Sequence, residues 1–109
     1  MEILQREEDW GLWPGKWEMG LVLVGAGSCG PCGSLQKKIS LWGQDHPEVG
    51  LLYIPVERFG ALCAQEGIFT VPAVLLYVRG QLTVRESGYF SLQEILQKAE
   101  GYLEILKRP

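Results

Sequence analysis

The sequence predicts a single α/β domain: a mixed sheet of four or five strands flanked by helices. Three observations predict it. Short apolar runs at Leu21–Val24, Val49–Val56 and Val74–Val78 have the length of buried strands. The segments between them carry helical spacing, so strands and helices alternate as they do when helices cover a sheet. The chain then closes on a helix with an explicit start signal, Ser91-Leu92-Gln93-Glu94. In such a box the serine side chain takes one orphan N–H and the glutamate reaches back to another.

The elements follow in order. Residues 1–10 mix Ile3, Leu4 and Trp10 with charges and suggest one short helix. Residues 11–20 hold Trp13, Pro14, Gly15 and Trp17, a turn-rich connector whose tryptophans are packing residues that cap the sheet. Leu21–Val24 is apolar without a break, as expected of a central strand covered on both faces. Leu35, Ile39 and Trp42 then recur on one face of a helix that ends near Gly43. Asp45-His46-Pro47 breaks the chain, and Val49–Val56 supplies the next strand. Arg58–Glu66 reads as a short helix stopped by Gly67. Val74–Val78 and Leu82–Glu86 flank Gly80 and read as an antiparallel hairpin. In the last helix Leu92, Ile95, Leu96, Ala99, Leu103 and Leu106 form one apolar stripe. The predicted order is helix, strand, helix, strand, helix, strand, strand, helix. Residues 1–109 form one domain, with 1–20 as its least regular part.

Composition excludes several classes of function. With 47% hydrophobic and 21% charged residues the chain can bury a core. The net charge is −3 and the basic residues are scattered, which is no footprint for nucleic acid. No apolar run approaches the roughly 18 residues of a membrane span. The acidic, polar start is unlike a secretory leader, so the expected location is cytoplasmic. In that compartment a Cys-x-x-Cys pair points to catalysis or metal binding rather than to a structural staple. The third cysteine, Cys63, makes the count odd; beside Leu62 and Ala64 it reads as an inert packing thiol. His46 reads as a solvated turn residue.

Cys29-Gly30-Pro31-Cys32 lies directly between the first strand and a helix. There the first helical N–H groups are unpaired and the helix dipole favours negative charge. A thiolate is the species that attacks disulfides, so this placement makes Cys29 a nucleophile. Cys32 would stand about one turn further in, and Pro31 suits a first turn that needs no N–H there. The loop also satisfies G-x-G-x-x-G through Gly25, Gly27 and Gly30. A dinucleotide site wants an acidic residue about 20 positions on, and Glu57 stands too far along. The two cysteines and Pro31 account for the loop better.

At Cys29-Gly30-Pro31-Cys32 the chain resembles the thioredoxins. Phe69-Thr70-Val71-Pro72-Ala73, just before the third strand, adds to the likeness, as do Gly80 in the last hairpin and Gly88 after it. The resemblance spans roughly Leu21 to Leu106. It implies a thioredoxin-like fold, a cis peptide at Pro72 and dithiol–disulfide exchange. Cys29 would attack a protein disulfide, and Cys32 would attack Cys29 to release the reduced product. Val71 would offer its backbone to an extended substrate. Ser28, Gly30, Pro31, Pro72, Gly88 and Tyr89 would line a shallow docking surface. No cofactor or metal is implied beyond the redox-active pair. The implied partners are protein disulfides and a thioredoxin-reductase-type or thiol reductant, with the chain a monomer or weak dimer serving cell redox homeostasis.

The chain departs from that pattern in several places. Ser28 stands where thioredoxins usually carry Trp, and Val24-Gly25-Ala26 replaces the common Phe-Trp-Ala. Leu23 occupies the place of a buried Asp that assists proton transfer, and the Lys that accompanies it falls near Leu51 or Leu52. The pocket beneath Cys32 should therefore be drier and slower to move a proton. No first strand is evident before residue 20. Two rival functions follow: a redox-inactive thioredoxin-fold binding module, and a metal or iron–sulfur site shared between subunits. One chain supplies only two motif thiolates, whereas structural zinc usually takes four ligands.

Overall fold

In the computed structural model, which describes residues 1–109, the central apolar run is longer than its most hydrophobic part. It forms a strand over Met19–Gly25, buried along its whole length. With Glu2–Ile3 as β1, this strand is β2, followed by α1 (Cys32–Gln44), β3 (Gly50–Pro55), α2 (Gly60–Gln65), β4 (Ala73–Val78), β5 (Gln81–Ser87) and α3 (Leu92–Leu106). The sheet has five strands in the order β1-β3-β2-β4-β5. β1 and β2 run parallel to β3, whereas β4 is antiparallel to both β2 and β5.

The N-terminal segment corrects the expected helix. Glu2 and Ile3 pair with Leu52 and Tyr53 at the sheet edge, and Leu4 N–H donates to the Tyr53 carbonyl at 3.0 Å. Two 3-10 turns, Glu7–Asp9 and Pro14–Lys16, follow. A two-residue strand is too short to show a period of two, so nothing in the sequence could announce the fifth strand.

Side chains alternate across β2, dividing the core into two layers. Met19, Leu21 and Leu23 face Ile39 of α1 and Ile95, Ala99 and Leu103 of α3. Val22 and Val24 face Leu62 and Cys63 of α2, together with Trp10 and Trp13. The tryptophans do cap the sheet. Gly20 and Gly50 are neighbours across β2 and β3, and the indoles of Trp13 and Trp17 lie over the bare backbone there. Their ring centroids are 6.4 Å apart. Two side-chain-free positions in register thus make room for two large aromatics.

The remaining boundaries match their sequence signals closely. Arg79 and Gly80, both with positive φ, form the tight hairpin turn between β4 and β5. Gly67, at φ +73°, ends the α2 segment. At α3 the Ser91 hydroxyl accepts the Glu94 N–H at 3.2 Å. Only this half of the expected capping box forms.

Candidate functional site

The loop Ala26–Pro31 carries the chain from the end of β2 to α1 and brings the two cysteines to one edge of the sheet. Cys29 N–H donates to the Ala26 carbonyl at 3.1 Å and Cys32 N–H to the Cys29 carbonyl at 3.3 Å, so the motif enters the helix through a pair of turns. Pro31 is the N-cap and the helix begins at Cys32. Cys29 therefore stands three residues ahead of the helix rather than at its cap. The helix still cannot pair the first N–H groups at its start within itself, and the Cys32 N–H is taken by the Cys29 carbonyl.

Cys29 and Cys32 are joined by a disulfide. Cys29 is half-buried, whereas Cys32 is only 2% exposed. One sulfur can thus meet a large partner while the other is sheltered below. The asymmetry suits sequential attack, with the outer thiolate engaging a substrate and the inner one resolving it.

The other residues expected at the site come together around Cys29. Ser28, Gly30, Pro31, Val71, Pro72, Gly88 and Tyr89 line one open groove of about 660 Å³ with Cys29, joined by Leu35, Thr70 and Phe90. Cys32 lies beneath it rather than in its wall. The Val71–Pro72 peptide is cis, and Gly88 N–H donates to the Pro72 carbonyl at 2.9 Å. Neither the N–H nor the C=O of Val71 finds a partner within the chain. Leu35, Thr70 and Phe90 carry no chemical motif, and only the fold brings them here. No charged residue lines the groove, so the helix start is the electrostatic feature at hand for a Cys29 thiolate.

Below the groove the pattern differs from the sequence reading. Leu23 is fully buried, and no polar or charged residue is buried anywhere in the chain. The β3 residue beside Leu23 is Tyr53, not Leu51 or Leu52. Leu51 packs toward Gly43 of α1, and Leu52 belongs to the opposite layer. Counting along a chain cannot fix the register of two parallel strands joined by a long crossover, which explains the difference. Burial and the Glu57 charge both raise the Tyr53 hydroxyl above the ordinary tyrosine range. Glu57, too far along the chain to complete a dinucleotide site, binds the loop instead. Its carboxylate accepts the Gly27 N–H at 2.7 Å. That bond and one from its own backbone hold Glu57 below the usual carboxylate range.

Cys63 lies in the layer under α2, where burial pushes its thiol up. His46 is packed rather than fully solvated: its ring stacks on Trp42 at 4.0 Å, and Nδ1 lies 2.8 Å from the Trp42 carbonyl oxygen. Neither residue lines the groove. No group of three or more His, Cys, Asp or Glu is placed to hold a metal ion, and no helix is long and apolar enough to cross a membrane.

No family model and no curated protein sequence matches the chain. Solved structures do. The oxidised thioredoxin of Plasmodium falciparum superposes with a TM-score of 0.81 at 17% identity, over 91% of this chain and 97% of that one. A mutant thioredoxin from Halobacterium salinarum gives 0.81 at 20% identity, over 93% and 88%. Thioredoxin 1 from the thermophilic eubacterium Thermosipho africanus gives 0.75 at 25% identity, over 82% and 99%. The fold is the thioredoxin fold.

Proposed function

We propose that this thioredoxin-fold protein is a thiol–disulfide oxidoreductase that reduces protein disulfides through Cys29 and Cys32. The observation that carries the reading is the asymmetric pair itself: a half-buried sulfur just ahead of a helix, joined to a sheltered one at the helix's first residue. In the reduced protein the Cys29 thiolate attacks a substrate disulfide and expels one substrate thiolate. Cys32 then attacks Cys29, the second substrate sulfur leaves, and two electrons have passed from the dithiol to the substrate. The unpaired Val71 N–H and C=O suit an extended segment laid beside them as an added strand. Ser28, Gly30, Pro31, Pro72, Gly88 and Tyr89 form the neutral surface that would receive its side chains.

The setting is the cytoplasm, in the service of cell redox homeostasis, and the chain acts as a monomer or weak dimer. A thioredoxin-reductase-type enzyme or a small thiol returns the pair to the dithiol, and no further cofactor takes part. The buried, unpaired Cys63 fits a reducing compartment.

Equilibration in thiol–disulfide buffers tests the reading. The expected result is a reversible two-electron transition near the reducing end of the range spanned by dithiol proteins, about −270 mV, which disappears in Cys29→Ser. A pair that never equilibrates with the buffer, or purified protein that carries metal on its thiols, would sink it.

A further inference from the structure

The slot beneath the disulfide holds a group that the exchange reading leaves unused. A methyl group placed on Gly25 would lie 2.9 Å from Cys32 Sγ and 2.9 Å from the Tyr53 hydroxyl oxygen. The inner sulfur and the phenol therefore border the same small space, left open because residue 25 has no side chain. Tyr53 reaches it from β3, packed against the layer between the sheet and the α1–α3 pair. Its hydroxyl makes no hydrogen bond within the chain, and the one charge that acts on it is the Glu57 carboxylate. The rest of the surroundings is apolar: β2 contributes Leu23, and no buried residue of any element is charged.

A thiolate formed in such a place is costly without a donor. We propose that the Tyr53 hydroxyl is that donor, steadying the Cys32 thiolate while it resolves the mixed disulfide. The inference rests on the exchange reading above. The Cys32 thiol gives its proton to water; as the thiolate attacks, its sulfur bonds to Cys29, the bond from Cys29 to the substrate breaks, and the substrate thiolate takes a proton from water. The phenol keeps its own proton throughout, and its hydrogen bond weakens as the thiolate becomes a neutral disulfide sulfur. In the return direction a reductant thiol attacks Cys29, and Tyr53 receives the departing Cys32 thiolate. The raised tyrosine keeps its proton across the neutral range, as a donor must. A phenylalanine would fill the same volume, so only the hydroxyl serves the sulfur.

The test follows the 13Cβ resonance of Cys32 through a pH titration in a Cys29→Ser chain, with and without Tyr53→Phe. Loss of a hydrogen bond to a charged sulfur should raise the Cys32 midpoint by about one unit, a tenfold change. In chains that keep both cysteines, Tyr53→Phe should slow release of substrate from the mixed disulfide by about tenfold and leave the first attack by Cys29 unchanged. A merely structural Tyr53 would move neither value. As a check that retains the tyrosine, the Tyr53 13Cζ resonance of the Cys29→Ser chain should shift at the Cys32 midpoint, since interacting groups titrate together. An unmoved Cys32 midpoint, or a Tyr53 resonance blind to Cys32, overturns the inference while a wild-type chain that still reduces disulfides keeps the exchange reading. A wild-type chain that reduces no disulfide overturns both.

Discussion

The Glu57 carboxylate holds the Gly27 amide at 2.7 Å, tying the chain just past β3 to the loop that delivers Cys29. Thirty residues separate the two in sequence. Because α1 begins only at Cys32, the preceding loop has few bonds of its own. This bond adds a long-range anchor to the two turn bonds that lead through Cys29 into the helix.

The Glu57 bond makes the loop sensitive to acid. A carboxylate whose folded pKa is depressed stabilises the fold above its ordinary value of about 4.3 and loses that contribution as pH falls through the lower folded value. The Gly27 amide resonance should therefore titrate with a midpoint below the ordinary Glu range, and Glu57→Gln should remove that step. A Gly27 amide indifferent to acid would show that the carboxylate does not hold the loop in solution.

Replacing the sheltered sulfur separates the two halves of the exchange. In Cys32→Ser the first attack remains and the second is impossible. Turnover is lost, and the chain should accumulate as a covalent adduct with its substrate, visible by mass spectrometry and released by excess thiol. Cys29→Ser should form no adduct. Equal adduct formation by both variants would contradict the assigned roles.

Tyr89 is fully exposed beside the disulfide, and Phe69 nearby is 82% exposed. An aromatic anchor of this kind is worth about 2 kcal/mol when a partner covers it. Tyr89→Ala should raise KM for a folded protein disulfide by about tenfold or more and leave reduction of a small aromatic disulfide unchanged. An equal effect on both substrates would place Tyr89 in the chemistry rather than in docking.

Gly20 is where the N-terminal segment is held. A methyl group there would come within 2.7 Å of the Trp13 ring, which is buried and donates from Nε1 to Glu2 at 3.2 Å. Gly20→Ala must push the indole away, and overpacking of this kind costs about 1–3 kcal/mol. Urea unfolding followed by tryptophan fluorescence should show the midpoint fall. An unchanged midpoint would mean that Trp13 is free to move.

At the alkaline end, Tyr77 should ionise late. It is buried edge-on to Trp10, and burial with Glu66 nearby pushes its hydroxyl up to about 12. The fold favours the neutral phenol, so this contribution is complete below the ordinary value of about 10 and is lost as pH climbs toward the folded one. Absorbance at tyrosinate wavelengths should show a late step that Tyr77→Phe removes and that coincides with a fall in stability.

Much of the architecture could be read from the chain because its signals are local. The apolar runs, the Leu35-Ile39-Trp42 face, the glycines at Gly67 and Gly80 and the serine cap of α3 each act over a few neighbours. Physics of that range is written in consecutive residues. β1 escaped because two residues define no period. The start of α1 shifted because helix ends depend on cap geometry, and sequence spacing does not fix that geometry to the residue.

The site divides the same way. The sequence alone names the two sulfurs of the proposed exchange, since a Cys-x-x-Cys pair between a strand and a helix is a signal confined to four neighbouring residues. It also determined the absence of a carboxyl at Leu23. What surrounds those sulfurs comes from packing across the whole fold: Tyr53 across the Gly25 slot, Glu57 on the Gly27 amide, and Leu35, Thr70 and Phe90 in the groove wall. Strand register and loop closure create these neighbours. Both are settled by the packing of the whole sheet against its helices, so residues distant in sequence meet with no local signal to announce them.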